Sequence, residues 1–239
     1  MQAEEASLCN LYSMVSNKEA IRDFAKFLRV TPEMDNLPSF PGIYANGWAP
    51  IVRATDDGSR ELAKVRWGLP TPPDKLTGNY DSGVTNLRNL WVWKDYLIPL
   101  NRRCVVPFTS FCEPDQVQGT KQNHWFALDD SRPLCFFAGA WLPQWTSFRK
   151  VKDGETTDDL FAFLTTKPSQ GVSQFHTKAM PVILRTPEEV ERWFEIPYAQ
   201  IANGMQLPPP DRSLKVVNIG PKQDGGEAEP PAPQQTSLF

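Results

Sequence analysis

Apolar residues first fall at helical spacing in Ala20, Ile21, Phe24, Ala25, Phe27 and Leu28, just after Ser16-Asn17-Lys18-Glu19. That tetrad has the form of a capping box, so an amphipathic helix is predicted to open there. Thr31 to Pro50 is crowded with proline and turn residues and reads as an ordered loop. Period-two alternation then takes over. Ile51 to Thr55 and Leu62 to Trp67 flank Asp56-Asp57-Gly58-Ser59, the pattern of a hairpin. Leu69 to Gly83 is broken by prolines and glycines and reads as irregular. Further strands are predicted at Arg103 to Phe111, Trp125 to Leu128, Leu134 to Trp141, Leu160 to Thr165, Pro181 to Leu184 and Leu214 to Asn218. Thr186-Pro187-Glu188-Glu189 is a second capping box with proline in the first helical position, opening a helix to about Glu195. Many short strands with two or three helices, and no β-α-β alternation, predict an α+β fold: one compact domain around an antiparallel sheet or distorted β-barrel.

The chain has 239 residues, 40% hydrophobic and 11% aromatic, enough to bury a full core. Three segments are expected: a leader over 1–8, the folded domain over 9–221, and a disordered tail over 222–239, where Lys222 to Gln235 offers no large apolar residue to bury. The formal charge is −3, but without the leader and tail the domain holds 24 basic and 23 acidic residues. Such a balance excludes a protein that holds nucleic acid by bulk charge; binding would need a local patch or a bond of another kind. Four cysteines form no C-x-x-C pair and have only two histidines beside them, so no metal site and no cofactor is expected. The absence of a signal peptide and of any run of 18 apolar residues predicts reduced thiols, a cytoplasmic setting and no membrane association.

Cys9 is the residue around which candidate chemistry gathers. An N-terminal cysteine offers an α-amine and a thiol to one aldehyde: the amine forms a Schiff base and the sulfur closes a five-membered thiazolidine. This requires Cys9 to be the first residue of the working protein, through initiation at Leu8 followed by removal of the initiator, or through cleavage before Cys9. Glu113 follows the apolar run Val105 to Cys112, a setting that raises a carboxyl pKa toward that of an acid/base group. A histidine such as His176 would need no such shift. Each also has an ordinary reading: Cys9 as a small buried hydrophobe, Glu113 as a paired surface carboxylate, His176 as a structural histidine, Asn86 as a turn residue.

Six stretches read together carry a resemblance. Cys9-Asn10-Leu11-Tyr12-Ser13, Tyr44 to Pro50, Arg66-Trp67-Gly68-Leu69, Thr85-Asn86-Leu87-Arg88, Arg103 to Pro107 with Ser110 to Glu113, and His176 to Leu184 are similar, in order, to the motifs of the SOS response-associated peptidase (SRAP) family. The resemblance spans about Cys9 to Asn218. It implies a sensor of abasic sites in single-stranded DNA, at replication forks, that crosslinks to the lesion through its N-terminal cysteine. It also implies a compact α+β fold with a positively charged DNA groove. Carried over, Cys9 is the nucleophile, Asn86 orients the amine or sugar, Glu113 moves the protons of ring opening and dehydration, and His176 assists at the sugar hydroxyl. Arg88 and Lys178 would hold flanking phosphates, with Lys94, Arg102 and Arg103 as further candidates. Pro50 and either Trp48 or Trp67 would wedge against bases. Leu11 stands where many members carry an arginine.

The last five residues, Gln235-Thr236-Ser237-Leu238-Phe239, resemble the Gln-x-Ser/Asp-Leu-Phe peptide by which bacterial proteins dock on the replicative sliding clamp. Gln235, Leu238 and Phe239 would carry that contact, the two apolar side chains contributing about 1.5 to 3 kcal/mol each. A monomer on single-stranded DNA, associated with the nucleoid, is expected. Two rival functions stand beside capture of abasic sites: a cysteine peptidase or autopeptidase using Cys9 and His176, and a non-catalytic adaptor on DNA or the clamp.

Overall fold

The computed structural model describes residues 9–76, 78–150 and 153–225. Among them the chain runs β1 (Leu11–Met14), α1 (Lys18–Ala25), β2 (Arg29–Val30), β3 (Phe40–Tyr44), β4 (Trp48–Ala54), β5 (Arg60–Trp67), β6 (Asn86–Leu87), α2 (Lys94–Leu97), β7 (Arg103–Phe108) and β8 (Ser110–Pro114). It continues through β9 (Asn123–Ala127), β10 (Cys135–Lys150), β11 (Gly154–Thr166), α3 (Gln170–Ser173), β12 (Met180–Pro181), β13 (Ile183–Leu184), α4 (Pro187–Glu195), α5 (Ile201–Gly204) and β14 (Lys215–Ile219).

The expected α+β domain with a distorted barrel is what these elements build. Strands β11, β10, β7, β4 and β5 are neighbours in that order. Parallel pairing of β5 with β11, at Arg66 with Leu160 and Trp67 with Phe161, closes the five into a barrel. Closure leaves those strands without open edges. A second sheet has the order β14-β9-β8-β1-β3. Aromatic side chains from both sheets interlock between them. Tyr12 of β1 stands edge-on to Trp67 at 5.2 Å and to Phe137 at 5.6 Å, and Phe108 stacks on Phe137 at 3.9 Å. All of these are buried, each completely or nearly so. Among the described residues no helix is long and apolar enough to cross a membrane.

Local chemistry explains where elements begin and end. Helix α1 is capped by Asn17, whose side chain accepts the Ala20 N–H at 2.8 Å, one residue later than the expected Ser16. It stops at Ala25, because Lys26 turns left-handed at φ 50°. Leu28, expected on the apolar face, therefore lies beyond the helix and is 79% exposed. The β4–β5 hairpin forms as its sequence predicts, with Asp57 accepting the Ser59 N–H at 3.0 Å and Gly58 at φ 78°. Helix α4 starts at the expected cap, Thr186 accepting from Glu189 N at 3.2 Å.

Four expectations need correction. Part of the supposed loop from Thr31 to Pro50 is strand β3, which pairs with β1 through Ile43 and Tyr12; Pro41 and Gly42 dilute its alternation. The predicted strand Arg103 to Phe111 is two strands in different sheets, turning at Thr109, whose N–H bonds Ser13 O at 2.8 Å. Strands β10 and β11 extend well past the predicted segments into a long hairpin. The folded domain does not end at Pro221. Asp224 is 2% exposed and accepts from Ser110 Oγ at 2.6 Å, Arg132 Nε at 2.7 Å and Asn218 Nδ2 at 3.0 Å. Composition marks where a chain lacks apolar residues, but here a carboxylate anchors it. The remainder of the predicted tail, with Gln235, Leu238 and Phe239, and the leader Met1 to Leu8 lie outside the described residues.

Candidate active site

The turn at Thr109 is what brings Glu113 to Cys9. Strand β8 leaves the barrel and lies antiparallel to β1, Leu11 opposite Cys112, so Asn10 and Glu113 flank that pair at one end of the ladder, with Cys9 next along the chain. Strand β6 enters from the other sheet by parallel pairing of Asn86 with Phe163 of β11. Asn86 Nδ2 donates to Cys9 O at 3.1 Å. His176 follows the short helix α3, held by its N–H to Val172 O at 2.9 Å. All four predicted residues thus converge from four separate segments, and exposure is 1% for Cys9, 7% for Asn86, and 0% for Glu113 and His176.

The site is buried and rich in acceptors. Burial pushes the Glu113 carboxyl well above its ordinary range, partly offset by a hydrogen bond from the Cys9 thiol. Burial likewise pushes the Cys9 thiol up, and the Glu113 and Cys112 charges add to that effect. Burial thus favours the uncharged form of both groups. The thiol also points to Leu11 O at 3.7 Å. His176 Nδ1 lies 3.0 Å from Ala179 O and 3.8 Å from Glu113 Oε2. A carbonyl oxygen only accepts, so the neutral ring carries its proton on Nδ1. Asn86 Oδ1 and both Glu113 oxygens have no conventional hydrogen-bond partner among the described residues. Buried acceptors left open cost about 1 to 3 kcal/mol each, an arrangement suited to an incoming ligand with donors.

The residues predicted to touch DNA divide. Arg88 and Lys178 are exposed, each two residues along the chain from a site residue. Trp48 is 43% exposed. Trp67, by contrast, is fully buried among Tyr12, Phe161 and Phe163, with its indole N–H on Thr85 O at 3.1 Å, so it is core and not a wedge. Pro50 is buried inside β4 and cannot wedge either. Arg103 is also fully buried, bonded to the carbonyls of Leu97 and Trp193 at 2.8 and 3.0 Å, and it ties α4 to the barrel. Its sequence neighbourhood resembled a basic cluster because burial of an arginine by backbone carbonyls leaves no trace in composition. Arg102 lies over Trp141, which bonds Ala54 at the opposite end of β4 from Trp48. Lys94 packs over the exposed Trp91 at 4.1 Å from the ring centroid.

Three residues that lie in the motif stretches but were assigned no role, Thr85, Arg66 and Asn46, connect to the site. Thr85 Oγ accepts from Asn86 Nδ2 at 2.7 Å and donates to Asn10 Oδ1 at 3.2 Å. Arg66 is 4% exposed, paired to Asp158 at 2.7 Å and bonded to Asn46 Oδ1 at 2.7 Å. Asn46 in turn adjoins Ala45, whose N–H bonds Asn10 O at 3.2 Å. Among the described residues no group of three or more His, Cys, Asp or Glu side chains is arranged to hold a metal ion.

A family model described as SOS response associated peptidase (SRAP) matches residues 8–222. No curated protein matches the sequence. Among solved structures, a protein from Bordetella bronchiseptica is 21% identical with a TM-score of 0.62, covering 87% of this chain and 97% of its own. One from Bacteroides thetaiotaomicron is also 21% identical, with a TM-score of 0.64 and coverage of 87% and 90%. A phage-related protein from Bordetella bronchiseptica is 18% identical, with a TM-score of 0.58 and coverage of 87% and 92%. At these identities the likeness is one of fold.

Proposed function

The chain belongs to the SOS response associated peptidase family, and from that premise we propose that it captures abasic sites in single-stranded DNA as a covalent thiazolidine on Cys9. The observation that carries this reading is the convergence of Cys9 with the fully buried Glu113 and with Asn86, whose Oδ1 has no hydrogen-bond partner among the described residues. A cysteine protease of the thiolate–imidazolium kind holds its thiol pKa low. Here it is raised, which favours chemistry in which nitrogen attacks first and sulfur second.

In this mechanism the α-amine of Cys9 adds to the aldehyde carbon of the ring-opened deoxyribose. Free α-amines have a pKa of about 7.7 to 8.0, so a usable fraction is neutral near pH 7. Glu113 gives its proton to the carbinolamine hydroxyl, which leaves as water. The thiol then adds to the iminium carbon and its proton returns to the adjacent Glu113 carboxylate, so the acid is regenerated and one water is lost overall. Asn86, anchored on Cys9 O, presents Oδ1 to the amine or to a sugar hydroxyl. His176 assists at the sugar hydroxyl, and Arg88, Lys178 and the exposed Trp48 hold the flanking phosphates and base.

The chemistry needs Cys9 to be first in the working protein, and the family match begins at the residue just before it. The peptide tail would ride the sliding clamp through Leu238 and Phe239. Incubation with an oligonucleotide bearing one abasic site tests the reading. A heat-stable adduct that disappears in Cys9→Ala supports it; an adduct that survives this change, or none with wild-type protein, refutes it.

A further inference from the structure

We propose that Thr85 is a positioning residue that sets which face of the Asn86 amide meets the substrate, an inference that rests on the crosslinking reading above. Asn86 Nδ2 lies 3.1 Å from Cys9 O, and because a carbonyl oxygen only accepts, that atom is the nitrogen and not the oxygen. The same nitrogen lies 2.7 Å from Thr85 Oγ, so the hydroxyl must accept there. Its own proton goes to Asn10 Oδ1 at 3.2 Å. The amide's two hydrogens are thereby committed, one to the strand of the nucleophile and one to Thr85. Asn86 Oδ1 is left buried and, among the described residues, without a hydrogen-bond partner, so it is open to a donor from the substrate. Rotation of the amide would place an oxygen against Cys9 O and leave Thr85 Oγ without its donor. Thr85 also ties Asn86 to the core from the other side, since its own carbonyl accepts the Trp67 indole N–H at 3.1 Å. The row Asn10–Thr85–Asn86–Cys9 thus stitches the residues just before β1 to the start of β6.

Single-turnover crosslinking to an abasic oligonucleotide, followed over oligonucleotide concentration, tests the proposal. Thr85→Val keeps the shape and removes the acceptor, and should lower the maximal rate about fivefold to tenfold, the worth of one neutral hydrogen bond, with half-saturation unchanged. Thr85→Ser, which restores the hydroxyl, should return the rate to within about twofold of wild type. In an Asn86→Ala background, Thr85→Val should slow nothing further, because its effect passes through Asn86. A melting curve for each variant checks the fold; should Thr85→Val not fold, Thr85→Ala takes its place with the same expected slowing. Wild-type rate in Thr85→Val, equal slowing in Thr85→Ser, or undiminished slowing in the Asn86→Ala background overturns the proposal while the crosslinking reading stands. No adduct with the wild-type protein overturns both.

Discussion

Glu113→Gln should make the protein less active and more stable, by an amount that grows with pH. The side chain is fully buried, and neither carboxyl oxygen has a conventional hydrogen-bond partner among the described residues. Burial therefore raises its pKa in the folded state above the unfolded value of about 4.3. Below that pH both states hold the proton and the group contributes no difference. Above it the unfolded chain ionises while the folded chain does not, so stability falls by about 1.4 kcal/mol per pH unit until the folded carboxyl also ionises. Glutamine cannot ionise and escapes this loss. For a domain of this size, about 2 to 4 °C of melting temperature accompanies each kcal/mol, so the variant should gain about 3 to 6 °C on wild type per pH unit above about 4.3. Thermal melts of both proteins from pH 4 to 7 measure it, and titrations common to the two cancel in the difference. Adduct formation by the variant should fall by about 10² to 10⁴, the usual worth of a placed acid/base group. Melting curves that stay parallel across the pH range would refute the claim that this carboxyl is held neutral by burial.

Three further outcomes follow from the same structure. Arg88→Ala should weaken non-covalent binding of single-stranded DNA and lower its salt slope by about one, whereas Arg103→Met should leave the slope alone and destabilise the fold, as salt titration and melting would reveal. Asp224→Ala should cost about 3 kcal/mol in denaturant unfolding, because it leaves Arg132 and Ser110 without their shared partner. Burial raises the folded-state pKa of Asp224, but its hydrogen bonds from Arg132, Ser110 and Asn218 together outweigh burial and leave it depressed, so that contribution should be present above about pH 3.9 and vanish as pH falls through the folded value. Deleting Leu238 and Phe239 should abolish recovery of the protein on immobilised sliding clamp; unchanged recovery would remove the tail from the interaction.

Much of this site was legible in the sequence, for reasons that particular residues make clear. Cys9, Asn86, Glu113 and His176 sit in short, distinctive stretches whose order along the chain carries the family resemblance. The hairpin at Gly58 and the cap at Thr186 were legible because turn and cap chemistry is local. What failed was non-local. Strand β3 exists because β1 lies beside it, and the corner at Thr109 exists because Ser13 accepts its N–H. Neither partner is within the window that periodicity reads. Charged residues misled for the same reason: Arg103 and Arg88 look alike in sequence, yet one is enclosed by backbone carbonyls and the other meets solvent. Asp224 looked like a tail residue because the ligands of its carboxylate, Ser110 and Arg132, are remote in the chain.

Mass spectrometry of the nuclease-trimmed adduct bears most directly on the central chemistry. The protein is crosslinked to an abasic oligonucleotide, the DNA is digested to its sugar remnant, and the N-terminal peptide is sequenced. Thiazolidine capture predicts a modified peptide beginning at Cys9, heavier by the sugar remnant less one water. A modified peptide that still carries Met1 to Leu8, or a remnant attached anywhere other than Cys9, would contradict it.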